Sequence, residues 1–232
     1  MKSVLVVLIG LVLLFGGCIN NDDINPDERI PGAGIEDYAH GDPQDPHFKM
    51  WEAFDFPFAD ADKTGNNDSQ LCWAAAVANI LAWTGWSEDE RATLDLFRYH
   101  FDNQPGYLYT ALAYYFNDFV SDVSADMVTV RESRADRLLE FLVSALHKGK
   151  GAVAKLAYPD RKIGHFVTIY GYWKEEKPQT YRLYYTDSDD YAFKMKEMQV
   201  TWNQTATRWD VTGFYQGWYL EYVVTLDGPH QL

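Results

Sequence analysis

The sequence predicts an α+β fold in which a helical first half packs on an antiparallel sheet formed by the second half. Helix patterns run to about residue 148 and strand patterns follow, an order that favours segregated helices and strands over a wound parallel sheet. Apolar residues make up 47% of the chain and aromatic residues 16%, enough to build a large core and to exclude disorder for its bulk. The 232 residues fit one ordinary domain with an appendage.

The appendage comes first. Lys2 precedes an uncharged apolar run from Val4 to Gly17, too short for a membrane span of ~20 residues and laid out like a signal peptide over residues 1–17. The run ends Leu14-Phe15-Gly16-Gly17-Cys18, which resembles a lipobox and makes Cys18 the expected lipidation site, although that pattern usually has Leu where Phe15 stands. A plain secretory signal or a short anchor helix is the alternative. Each leader reading expects an extracytoplasmic protein, and the lipobox expects a surface lipoprotein held to the membrane through a lipid anchor alone. From residue 18 to 47 the chain is rich in Asp, Asn, Pro and Gly without an apolar period, which predicts a flexible tether ahead of a domain over 48–232.

Four helices follow. The first is capped by Asp68 or Ser69 and runs from Leu71 to Trp83, apolar nearly all round, so it belongs at the centre of the domain. The second starts at Ser87, with Glu90 completing a capping box, and the third covers Tyr107 to Phe119. The fourth spans Ser133 to His147, with Leu138, Leu139, Leu142, Val143 and Leu146 on one face and Gly149 as its stop. Strands then fall at Ala152 to Tyr158, His165 to Trp173, Thr180 to Thr186, Phe193 to Trp202 and Gly217 to Leu226, with Lys174 to Pro178 as a hairpin connection.

Net charge excludes one class of partner. At −14, with no basic run, the chain repels a phosphate backbone, so no nucleic acid is expected and a soluble monomer is.

Three features converge on nucleophilic catalysis. Cys72 lies in the first turn of the buried helix, where unsatisfied N–H groups and the dipole favour a thiolate. With Cys18 lipidated it is the chain's remaining thiol, yet a cysteine beside Ala74 to Ala76 also fits an inert core position. His165 heads an otherwise apolar strand, where an imidazole can serve as a base or simply bond a turn carbonyl. Thr186-Asp187-Ser188-Asp189-Asp190 ends the next strand and can bring a carboxylate to that imidazole, or be a solvated turn. One further pattern competes in the loop before Cys72: Asp60 to Asp68 follows the first nine positions of a calcium-binding loop with Gly65 at its turn, but Leu71 stands where the bidentate Glu belongs.

Leu71-Cys72-Trp73-Ala74-Ala75, Lys148-Gly149-Lys150-Gly151, Gly164-His165-Phe166-Val167 and Thr186-Asp187-Ser188-Asp189 together resemble the papain-fold cysteine peptidases. More narrowly, they resemble the IdeS-like immunoglobulin-degrading proteases of streptococci. The likeness runs in order from about Trp51 to Gly228. It implies a papain-like fold and a Cys-His-Asp triad that hydrolyses a protein or peptide through a thioester, with no cofactor and no metal. Cys72 is then the nucleophile, His165 the general base and acid, Asp187 the orienting carboxylate and Asp189 a supporting acid. The family's oxyanion-hole lysine stands ten positions before its cysteine; here that place is Asp62 and the neighbouring lysine is Lys63. Lys63 is taken as the second oxyanion donor, with Asn66 and Gln70 as the competing amides. Thiol acyl transfer, amide hydrolysis and a non-catalytic binding lipoprotein are the other functions compatible with these residues.

Overall fold

The computed structural model describes residues 48–50, 58–64, 68–120, 128–132, 136–160, 162–175, 177–189 and 195–229. The expected leader, the Cys18 lipidation site, the tether, Gly65, Asn66 and the segment 133–135 lie outside them.

Helix α1, Cys72–Trp83, is buried at every position except Ala82. Its all-round apolar character follows from its place: α2 (Glu90–Phe101) and α3 (Leu108–Phe119) cover one side, and strands β3 (Gly151–Ala157) and β4 (Gly164–Lys174) cover the other. The helix begins later than the cap signal suggests. Leu71 is its N-cap and offers no side-chain bond. Asp68 instead spends its carboxylate on Thr64 and Arg98, a stronger pairing for a buried charge than a helix end. Helix α2 also starts beyond Ser87, because Asp89 caps it by accepting from the N–H groups of Arg91 and Ala92. Ser87 shares a hydrogen bond with Thr93 at 2.6 Å. Helix α4 is described as Leu138–His147 and stops at Gly149, whose φ of 78° is the left-handed conformation glycine adopts without steric cost.

Among the described residues the sheet has eight strands. Besides β3 and β4 these are β1 (Phe48–Met50), β2 (Val128–Glu132), β5 (Thr180–Thr186), β6 (Lys196–Asn203), β7 (Arg208–Thr212) and β8 (Tyr219–Leu226). All pairings are antiparallel, and β4, β3, β8, β7, β6 and β5 close into a ring because β5 also pairs with β4. A closed ring removes the open edges of a sheet. Three strands were not expected from the sequence. β1 pairs with β4 and β2 with β8, so the segment read as helical contributes one strand to the sheet; β7 fills the span between β6 and β8.

Two main cores result. One joins α1, α2 and α3 to Val153, Phe166 and Val224 on the outer face of the ring. The other joins α4 to the alternate residues Ala152, Ala154, Val167, Ile169, Leu183, Tyr185, Met198 and Val200. Among the described residues no helix is long and apolar enough to cross a membrane.

Candidate active site

His165 is the second residue of β4, and Asp187 is the first residue after β5. The antiparallel pairing of these strands carries the two toward the same end of the ring. Their side chains meet: His165 Nε2 lies 2.8 Å from Asp187 Oδ1, with both residues buried. Asp187 Oδ1 also accepts from the Asp189 N–H at 3.1 Å. Oδ2 accepts from the Tyr215 hydroxyl at 2.5 Å and faces Lys196 Nζ at 3.4 Å. Burial opposes the charge on Asp187, but His165, Lys196 and the bonds from His165 and Tyr215 outweigh it and hold its carboxyl well below the usual carboxylate range. Burial, reinforced by the charge on Asp187, pushes the Tyr215 hydroxyl well above its ordinary value, so it remains a donor. The other imidazole nitrogen, His165 Nδ1, is buried and accepts or donates no hydrogen bond among the described residues; Asp189 Oδ2 stands 3.9 Å from it.

Lys63 reaches the same cluster from the loop before α1. It is buried, its Nζ pairs with Asp189 Oδ1 and donates to the Ser69 carbonyl at 2.9 Å, and its backbone N–H donates to the Ser188 carbonyl at 2.9 Å. The loop ahead of Cys72 is thereby fastened to the turn that carries Asp187 and Asp189. Gln70, the other described amide, donates its backbone N–H to Asn103.

Cys72 is the first residue of α1 and is fully buried. Its sulfur stands in a disulfide in this structure, so the thiolate chemistry expected of Cys72 belongs to the reduced protein. The helix behind it is fixed by Asn79, the one polar side chain in its interior. Asn79 accepts from the Ala61 N–H at 2.7 Å and donates to Thr168 Oγ1 at 3.2 Å and Thr186 Oγ1 at 3.4 Å. Further along, Trp83 packs edge-on against Tyr170 with ring centroids 4.7 Å apart, and the Tyr170 hydroxyl bonds the Ala59 carbonyl.

The structure therefore gathers His165, Asp187, Asp189 and Lys63 into one cluster. It also adds Tyr215 and Lys196, for which the sequence held no pairing signal, since their relation to Asp187 exists only once the ring closes. Asn79 did leave a signal, as a lone amide in an apolar helix.

His165, Asp187 and Asp189 present ligand atoms within 4.8 Å of one another, the arrangement among the described residues that most resembles a metal site. Ammonium groups already stand on both carboxylates, Lys196 on Asp187 and Lys63 on Asp189, so a cation would have to displace them. The calcium-loop pattern has a different use. The Asp68 carboxylate that would face a cation takes bonds from Thr64 and from the Arg98 guanidinium.

The sequence model of the Peptidase_C39 like family matches residues 55–216, a span that contains Lys63, Cys72, His165, Asp187, Asp189, Lys196 and Tyr215. No curated protein matches the sequence.

Proposed function

Because the chain belongs to the Peptidase_C39 like family, a family of cysteine peptidases, we propose that it hydrolyses peptide bonds with Cys72 as nucleophile, His165 as general base and acid, and Asp187 as the carboxylate that orients the imidazole. The observation that carries the reading is the His165–Asp187 bond through Nε2, which leaves the buried Nδ1 as the nitrogen for a thiol.

The packing of α1 on β4 supports it. Asn79 touches Thr168, and four residues later Trp83 touches Tyr170, two residues on. Four helical residues rise ~6 Å and two strand residues ~6.6 Å, so helix and strand run side by side in the same direction. Going back from Asn79 to Cys72 covers seven helical residues, ~10.5 Å, and going back from Thr168 to His165 covers three strand residues, ~10 Å. This register supports the reading of Cys72 and His165 as neighbours at the leading ends of the two elements.

In the reaction the Cys72 thiolate attacks the substrate carbonyl carbon, and the imidazolium of His165 gives its proton to the departing amine as the C–N bond breaks. Water, deprotonated by His165, then attacks the thioester and releases the carboxylic acid and the thiolate. Lys63 and the Cys72 N–H hold the oxyanion, the lysine with the ammonium proton left over from Asp189 and Ser69. Asp189 keeps Lys63 in reach. The Leu71-Cys72 helix start and the Thr186 to Asp189 turn also support the narrower likeness to the IdeS-like proteases and a papain-like arrangement. The leader supports action outside the cytoplasm.

The test is made on reduced protein. Cys72→Ala is expected to lose peptide cleavage and iodoacetamide labelling while keeping its thermal unfolding transition. Cleavage at the wild-type rate by that variant removes the proposal.

A further inference from the structure

We infer that Tyr215 is a positioning residue for this chemistry, fixing the Asp187 carboxylate and limiting the negative charge it presents to His165. The inference rests on the reading of Cys72 and His165 as the reacting pair.

Four donors reach Asp187 from four places in the chain. Two serve Oδ1, from His165 on β4 and from the Asp189 N–H in the same turn. Two serve Oδ2, from Lys196 on β6 and from Tyr215 between β7 and β8. The Oδ2 partners are not equivalent. Lys196 stands at 3.4 Å with 14% of its side chain exposed, and its ammonium also lies 5.0 Å from the ring of Phe214. Tyr215 is 2% exposed and holds the shorter bond at 2.5 Å. Its ring is fixed between partners, 5.4 Å from the His165 imidazole and 5.5 Å from Trp218, measured between centroids. The turn itself begins at Gly213 and ends at Gly217, with φ of 100° and 85°, conformations that a side chain would strain.

A hydrogen bond donated to a carboxylate draws off part of its charge and fixes its plane. Removing the hydroxyl alone therefore has two consequences. The imidazole is less well aimed, which slows the chemical step without touching substrate binding. Asp187 also presents more of its negative charge to the imidazole, which alters the pH profile of the reaction. Among the described residues, the other charged or titratable groups facing the pair are Lys196, Asp189 with its partner Lys63, and Tyr185 on β5, and the substitution leaves all of them in place.

The experiment measures kcat, KM and the pH profile of peptide hydrolysis on the reduced full chain, together with the pH dependence of Cys72 alkylation. It compares wild type, Tyr215→Phe, Gln216→Ala and Cys72→Ala. Tyr215→Phe is expected to lower kcat about tenfold, the size of one hydrogen bond to a charged group, with KM unchanged and the pH profile altered. Gln216→Ala, a change at an exposed side chain in the same turn, is expected to leave the profile where it is. An unchanged kcat and profile in Tyr215→Phe overturns the inference, as does an equal change in Gln216→Ala or loss of folding in Tyr215→Phe. Full activity in Cys72→Ala instead overturns the peptidase reading on which the inference stands.

Discussion

Asn79 donates to Thr168 Oγ1 at 3.2 Å, and through this contact the helix that begins at Cys72 is locked to the strand that begins beside His165. The same amide reaches Thr186, the residue before Asp187, and takes the Ala61 N–H from the loop that holds Lys63. One buried side chain thus ties together the segments that supply Lys63, Cys72, His165 and Asp187.

Replacing Asn79 with Leu keeps the apolar helix but strands the Ala61 N–H without its acceptor. A buried group left unsatisfied costs about 1–3 kcal/mol, and the loss of registry between α1 and β4 comes in addition. The expected result is a stability loss of about 2 kcal/mol or more in urea unfolding. Peptide hydrolysis is expected to fall further than unfolding alone accounts for at temperatures where the variant remains folded.

Acid stability should carry the signature of two carboxylates. Burial opposes the charge on Asp68, but its bonds from Thr64 and the Arg98 guanidinium prevail and lower its carboxyl, as His165, Lys196 and Tyr215 do for Asp187. A carboxyl depressed in the folded state contributes stability that is present in full above its unfolded value of about 3.9 and is lost as pH falls below it toward the folded value. Unfolding free energy should therefore be insensitive to these groups above about pH 5 and decline below about pH 4. Asp187→Asn, which has no proton to take up, should flatten that decline; an identical slope would contradict the assignment.

Gly106 is required by Trp73, the neighbour of Cys72. A Cβ at Gly106 would overlap the indole Cζ2, and the indole is held by its N–H donated to the Gln104 carbonyl at 3.2 Å and by the ring of Phe101. Gly106→Ala should cost about 1–3 kcal/mol, the usual range for overpacking, read as a lower thermal midpoint with a change in tryptophan fluorescence.

Much of this architecture is legible along the chain because local patterns carry it. The apolar run from Leu71 to Trp83 announces a buried helix, the β-branched and aromatic segments after Gly151 announce strands, and Gly149 marks the end of α4. The short strands Val128–Glu132 and Arg208–Thr212 escape such reading. Their structure is conferred by partners, β8 in the first case and β6 with β8 in the second, and five residues of strand have little preference of their own. The N-terminal boundaries of α1 and α2 shift for a related reason: Asp68 and Ser87 look like caps, yet Arg98 and Thr93 claim their side chains.

By itself the sequence determined the order of helices and strands, the family likeness and the residue types fit for thiol chemistry: Cys72 at a helix start, His165 at a strand head, Asp187 and Asp189 in a turn, and Lys63 in the loop before the helix. Those are properties of neighbouring residues. Only the tertiary structure decided which groups surround Asp187, that Lys63 is paired with Asp189, and that Asn79 sets the helix against the strand. Ring closure brings Tyr215 onto a residue 28 positions away, and the electrostatics of a buried carboxylate depend on donors delivered across such distances rather than on its neighbours in the chain.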